Sequence, residues 1–489
     1  MAASCCPSHG RFCLILLLAG AAVASSGSRA AALGAEGSSD VKLHVDSACL
    51  TPQEHKHGAA MGTRMPIVHQ HGPCSPLTDK HGKPPSFEEI LAADQRRVDY
   101  IHRRVSETTG QVRPKRAEPS APPVQLQPAS LASSAASANL PASSGNALGT
   151  GNYVVTIGLG TPEERLTVVF DTGSDTTWVQ CQPCVASCYR QKEPLFSPAK
   201  SSTYANISCS SSYCSDLDIS GCSGGHCLYR VRYGDGSETV GFYAQDTLTL
   251  ASDAVKEFRF GCGEQNRGLF GQTAGLMGLG RGKTSLTSQA YGKYSGVFSY
   301  CLPATPSGTG FLDLGPGAPA ANASLTPMLT HKGPTFYYVG LTGIKVDGRA
   351  LSVPDSVFST AGAILDSGTV ITRLPPKAYA PLRSAFAKAM ADLGYKKATA
   401  TSFLDTCYDL TGVQGKALPA VSLAFQGGAS LDVDASGILY MVDMSRACLG
   451  FAPNNDDTDV AIIGNTQQKT YSVLHDLGKK LVSFAPGAC

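Results

Sequence analysis

Val168-Val169-Phe170-Asp171-Thr172-Gly173-Ser174 and Ala363-Ile364-Leu365-Asp366-Ser367-Gly368-Thr369 are two versions of one phrase. Each is an apolar, strand-like run closed by Asp, a hydroxyl residue, Gly and a second hydroxyl residue. The aspartates lie 195 residues apart, and the chain has no other Asp-Ser/Thr-Gly. Downstream of each copy comes an apolar pair closed by glycine: Leu276-Met277-Gly278 after the first, Ile462-Ile463-Gly464 after the second. One unit used twice, each about a lobe long, implies two lobes with a cleft between them. A single Asp-Thr-Gly would read as an ordinary turn. Two in matching frames point to a shared site.

The residue types define the chemistry. Hydrolysis of a peptide bond by water needs one group to take the water's proton and another to polarise the carbonyl. Two carboxylates a few ångströms apart do both, because like charges that close share one proton and split their acidities. Gly173 and Gly368 permit the tight turns that bring the strand ends together. The hydroxyls of Ser174 and Thr369 are suited to bonding the outer carboxylate oxygens, and Thr172 and Ser367 complete the two motifs.

Around these copies, from Gly151 onward, the sequence is built of short β-branched and aromatic runs broken by Gly, Pro, Asn and Asp. Tyr153 to Leu159, Leu166 to Phe170, Cys227 to Tyr233, Thr335 to Val346 and Lys480 to Phe484 are examples. That texture predicts an all-β fold, with one Ala-rich helix over Lys377 to Met390. The 489 residues are too many for one ordinary core, and 42% apolar content is enough for two or three. Residues 150–330 and 331–489 are the expected N- and C-terminal lobes. From residue 150 on there are 26 Lys/Arg and 27 Asp/Glu, a net of −1 that gives no reason to expect nucleic acid.

The first 149 residues differ. Arg11 precedes the apolar run Phe12 to Ala24, which ends in small residues, so 1–24 reads as a signal peptide rather than a buried helix or membrane span. Residues 25–149 hold seven of the eleven histidines (His44, His55, His57, His69, His71, His81, His102). Ser86 to Val105 predicts an amphipathic helix, with Ser86 and Glu89 at capping-box spacing and Phe87, Ile90, Leu91, Val98, Ile101 and Val105 on one face. An Ala/Ser/Pro-rich linker from Ala117 to Ser144 follows Arg113-Pro114-Lys115-Arg116. The segment is expected to act as an inhibitory propeptide that acid releases. Its histidines would gain charge between about pH 7 and 5, and the helix region would repel its own Lys/Arg.

Cysteine use agrees with export. Twelve of the 17 lie from Cys181 onward, seven of them between Cys181 and Cys227, which reads as a disulfide framework. Cys181-x-x-Cys184 resembles half a zinc site, but no second C-x-x-C follows at ribbon spacing, so no metal is expected. Asn206 and Asn322 open sequons that are candidate glycosylation sites.

The chain resembles the pepsin-like aspartic proteases, most closely their plant nepenthesin-like branch, from about Gly151 to Cys489. The resemblance rests on FDTGSDTTWVQCQPC (170–184), YGDGS (233–237), FGCGEQNRGLF (260–270), GLMGLGRG (275–282), ILDSGT (364–369), IIGNTQQ (462–468) and the Cys-rich insertion. PIVHQHGPCSPL (66–77) is similar to propeptides of that branch.

It implies a bilobal all-β fold, with Asp171 and Asp366 catalytic. Tyr233 would be the flap tyrosine, with Gly234 and Asp235 at the flap tip and Trp178 packed behind it. It further implies the disulfides Cys181–Cys184, Cys188–Cys262, Cys209–Cys227, Cys214–Cys222, Cys301–Cys489 and Cys407–Cys448. The expected protein is a secreted or vacuolar monomeric endopeptidase acting on polypeptides, with no cofactor, membrane or nucleic-acid partner and its own propeptide as inhibitor. Two other readings stand beside it. One is a catalytically inactive binding or inhibitor protein on the same fold, which both intact motifs and Tyr233 oppose. The other is a chloroplast nucleoid protease that binds DNA, which the charge balance and the apolar leader oppose.

Overall fold

The computed structural model describes residues 63–77, 86–109 and 152–489, apart from 234–235, 269, 318–319, 321, 414–416 and 444. The expected signal peptide, linker and flap tip Gly234-Asp235 lie outside the described residues. So do His44, His55, His57 and His81.

The first copy of the repeat sits on β3 (Glu164–Asp171), which pairs with β2 (Tyr153–Leu159). Val168 to Phe170 are fully apolar and inaccessible, as a strand covered on both faces requires. Strand Gly275–Gly278 runs parallel to β3, setting Leu276 beside Val169 and Gly278 beside Asp171. β4 (Trp178–Gln180) then pairs antiparallel with it. The second copy repeats this plan. Ala363–Leu365 runs parallel to Ala461–Ile463, with Ile364 beside Ile462, and Thr372–Leu374 meets that strand antiparallel at Arg373. The glycine-closed apolar pairs are therefore the parallel partners of the two aspartate strands.

The two lobes are not separate in sequence. The largest sheet has fifteen strands. The C-terminal strand Ser472–Asp476 pairs in it with Val297–Cys301, and Leu481–Ala485 pairs with Ser324–Pro327. β1 (Thr63–His69), from the segment expected to be a propeptide, lies within the same sheet. It pairs along Thr309–Leu314 and touches β2 at Val68 and His69. The sequence hides this strand because Pro66 stands in its middle, and proline demotes a run as a strand candidate.

The predicted amphipathic helix is α1 (Phe87–Thr109), four residues longer than its apolar pattern. Ser86 and Glu89 close a reciprocal cap: Glu89 N–H donates to Ser86 Oγ at 3.2 Å, and Ser86 N–H donates to Glu89 Oε2 at 2.7 Å. Ile90 and Leu91 pack with Val370, Ile371 and Tyr440, and Val98 and Ile101 with Phe336, Tyr338, Ile364 and Ile462. The helix thus buries its apolar stripe on the strand that carries the second copy.

Cys301–Cys489 and Cys407–Cys448 are bonded as the resemblance implied. The other four expected pairings are corrected. Cys181 bonds Cys262, and Cys184 bonds Cys188. The parallel pairing of β4 with Asp253–Arg267 sets Val179 beside Cys262 and brings Cys181, just past the strand, within reach of it, leaving Cys184 and Cys188 to close a short loop. Both sulfurs of the half zinc site are therefore used in disulfides. Cys209 bonds Cys222, and Cys214 bonds Cys227. Cys227 and Cys214 point into one apolar cluster, whereas Cys222 stands on the exposed strand Ser220–Ser223. Of the two sequon residues, Asn322 is exposed in a turn, and half-buried Asn206 accepts a bond from Tyr204 Oη through its side chain.

Candidate active site

Asp171 and Asp366 meet at the junction of the two repeats, both fully buried. The copies lock reciprocally: Thr172 N–H donates to Ser367 Oγ at 3.1 Å, and Ser367 N–H donates to Thr172 Oγ1 at 2.9 Å. Asp171 accepts from Gly173 N–H (2.9 Å) and Ser174 Oγ (2.7 Å). Asp366 accepts from Gly368 N–H (3.1 Å) and Thr369 Oγ1. Each carboxylate is therefore held by the glycine and the second hydroxyl residue of its own motif, while Thr172 and Ser367 bond across to the other copy. A Cβ on Gly173 would run into the Asp366 carboxylate, and one on Gly368 into Asp171. Glycine is needed at both positions for close approach. Asn465, just after the second apolar-apolar-Gly, donates from Nδ2 to Ser367 O and braces the second copy.

Arg97 of α1 enters between the carboxylates. Its Nη2 lies 2.7 Å from Asp171 Oδ1 and 2.8 Å from Asp366 Oδ1, and its Nε donates to Asp366 Oδ2 at 2.9 Å. Nη1 reaches Asp171 Oδ2 at 3.3 Å. Burial pulls the guanidinium's proton affinity down, but the two carboxylates more than reverse this, so it stays well above the ordinary arginine value. Burial pushes the Asp366 carboxyl up. The charge and hydrogen bonds of Arg97, helped by Thr369 and the Gly368 amide, nevertheless bring it below the ordinary aspartate value.

One turn earlier, Asp94 accepts from Val370 N–H at 2.6 Å and Ile371 N–H at 3.3 Å and pairs with Arg373 Nη2 at 3.0 Å. Sequence reasoning missed Asp94, Arg97 and Arg373. The signal was present, because Asp94 and Arg97 occupy the apolar stripe of α1 between Leu91 and Val98, where a charge needs a buried partner.

Tyr233 is half-buried at the end of strand His226–Arg232. Its hydroxyl accepts a 2.7 Å bond from Trp178 Nε1, and its ring lies 5.5 Å from that of Phe270. Trp178 is fully buried between strands Gly275–Gly278 and Asp253–Arg267. The structure thus places Trp178 directly behind Tyr233. Among the described residues no group of three or more His, Cys, Asp or Glu side chains is arranged to hold a metal ion. No described helix is long and apolar enough to cross a membrane.

Comparison with known proteins agrees with this geometry. Family models described as Xylanase inhibitor N-terminal and Xylanase inhibitor C-terminal match residues 153–316 and 336–486. The chain is 45% identical over 430 residues to an aspartyl protease family protein of Arabidopsis thaliana, covering 86% of each. It is 37% identical over 356 residues to aspartic proteinase nepenthesin-2 of Nepenthes gracilis, covering 70% of this chain and 78% of that one. The crystal structure of edgp superposes with a TM-score of 0.58 at 21% identity, covering 68% of this chain and 91% of that one, a likeness of fold alone. The chain belongs to the pepsin-like aspartic proteases of plants, a family of aspartic-type endopeptidases.

Proposed function

We propose that this chain is the inactive precursor of a secreted aspartic endopeptidase, with Asp171 and Asp366 as the catalytic pair and Arg97 as the residue that closes it. The observation that carries this reading is the four-contact insertion of Arg97 between the two carboxylates. A water poised for attack needs that space. While α1 is docked, a guanidinium fills it and holds Asp366 ionised.

Once α1 leaves, two buried carboxylates close enough to share one Arg97 nitrogen cannot both carry charge, so one proton is shared. The ionised member takes the proton of a bound water, and the protonated member donates to the peptide carbonyl. Ser174 and Thr369 keep the outer oxygens occupied, so the inner ones face the water. Tyr233 orders the substrate from the flap, its hydroxyl held by Trp178. The leader run and the six disulfides among the described residues support an oxidising, exported setting.

Both intact motifs and Tyr233 oppose the reading of a non-catalytic binding protein. The test is to purify the precursor at pH 7.5, lower the pH to 4, and follow hydrolysis of a denatured protein. Activity should appear only on acidification and be blocked by pepstatin, a peptide carrying a transition-state-like hydroxyl. Hydrolysis that pepstatin leaves untouched would refute the assignment.

A further inference from the structure

Arg373 is a fully buried arginine that the peptidase chemistry does not use. It lies seven residues after Asp366 on strand Thr372–Leu374, under α1. Among the described residues its only ion-pair partner is Asp94, and its only other hydrogen-bond acceptor is Gln95 at 3.4 Å. Both belong to α1. Its Nε and Nη1 have no hydrogen-bond partner. What holds the guanidinium in place comes instead from the C-terminal lobe, where it lies 3.7 Å over the centre of the Phe403 ring.

These contacts assemble a carboxylate site with three donors. Asp94 takes the Val370 amide on one oxygen, and the Ile371 amide and Arg373 Nη2 on the other. Two backbone amides and an arginine are the donor set that fits a carboxylate and repels a cation. All three belong to the lobe that remains, and the anion belongs to the segment that departs. Leaving a desolvated arginine without a counter-charge is costly, so the vacated site favours a replacement anion.

We propose that Arg373, with the Val370 and Ile371 amides, is an acidic-side-chain subsite of the mature cleft, and that Asp94 occupies it in the precursor as a substrate's Asp or Glu would. The proposal rests on the peptidase reading. Asp94 lies three helical residues from Arg97, about 4.5 Å along the axis. An extended substrate advances about 3.3 Å per residue. The acidic side chain therefore falls within about two residues of the cut bond. Phe403 keeps the guanidinium oriented after α1 leaves, so the subsite is preformed.

The experiment uses acid-processed mature enzyme on a peptide library at pH 5, where free Asp and Glu side chains are largely ionised. Cut positions are read by mass spectrometry, and kinetics follow on a matched Asp/Asn peptide pair. Asp and Glu should be enriched at one position within about two residues of the cut. The Asp peptide should lead its Asn isostere in kcat/KM by at least about tenfold, mostly through KM. Arg373→Gln should bring the two peptides level while keeping pepstatin-sensitive cleavage of the Asn peptide, and Arg373→Lys should restore part of the preference. Equal, pepstatin-sensitive turnover of both peptides by the wild type would overturn the subsite and leave the peptidase reading standing. No pepstatin-sensitive turnover of either would overturn both. The wild-type comparison decides the matter even where Arg373→Gln fails to fold.

Discussion

In the proposed precursor, Arg97 is the residue on which latency would turn. Replacing it with alanine leaves two buried carboxylates facing each other without a cation, a loss of about 3–5 kcal/mol for a broken buried pair. Because Asp366 is held below its ordinary value while Arg97 is bound, the pair favours docking above the ordinary aspartate range. That contribution is lost as pH falls through the depressed value. Arg97→Ala should therefore give a precursor that processes at a higher pH than wild type, seen by following its mass against pH. Arg97→Lys should fall between, since an ammonium keeps the charge but not the planar fork. An unchanged processing midpoint in Arg97→Ala would show that latency lies elsewhere.

Tyr233 invites a second test at this scale. Its ring packs on Phe270, so Tyr233→Phe separates packing from the hydroxyl that Trp178 Nε1 donates to. It should lose about 1 kcal/mol or less in thermal stability, with a larger loss in kcat/KM than the unfolding data explain. A fall in stability with unchanged kcat/KM would make Tyr233 purely structural.

At the scale of elements, β1 and α1 would hold the proposed precursor shut by different physics, and the histidine expectation needs correcting. His69 does not gain charge between pH 7 and 5 while docked, and His71 gains it less readily than a free imidazole. Burial, with help from His71 and Lys469, pulls the His69 imidazole down to about 3, and burial lowers His71 as well. His69 lies edge-on to Tyr153 with its Nδ1 accepting from His71 N–H. His102, the one histidine on α1, sits 3.7 Å from the Asp459 carboxylate.

The sign of the acid response nevertheless survives. A histidine lowered in the docked state is neutral there and charged once β1 is free, so docking weakens as pH falls below about 6.5 and continues to do so to about 3. Between neutrality and pH 4 this amounts to about 3 kcal/mol. His69→Gln should therefore shift processing to lower pH, provided its melting temperature at pH 7.5 matches wild type. A stable variant with an unmoved midpoint would remove His69 from the switch.

The same two elements show what the sequence disclosed. The cap at Ser86 and the stripe from Phe87 to Val105 were legible because a helix end and a 3.6-residue period are local properties. The aspartate frames were legible because duplication wrote them twice. β1 was not, since its place is set by pairing with Thr309–Leu314, some 245 residues away, and Pro66 argues against it locally. The Cys-rich pairings failed for a related reason. Spacing does not say that Cys227 faces the core while Cys222, opposite it in the hairpin, is exposed.

Across the whole molecule, the repeats bring two carboxylates into a buried junction that is electrically tolerable only with a cation or a shared proton between them. In the proposed precursor, Arg97 is that cation. With α1 gone, raising the pH forces both groups to ionise, so the mature protein should lose thermal stability as the pH rises to 7.5, whereas the precursor, scanned above its processing pH, should not. Parallel scanning calorimetry on the two forms reads this difference.

The most direct test is the turnover of a denatured protein at acid pH by Asp171→Asn and Asp366→Asn, each shown to be folded by circular dichroism. Either amide keeps the shape and most hydrogen bonds of the pair but cannot share a proton. To keep the comparison independent of self-processing, residues 1–149 are removed by an added protease under identical conditions for all three proteins. The account predicts a loss of about 10⁴-fold or more in kcat for each variant against wild type. Turnover by either variant within a few-fold of wild type would contradict it.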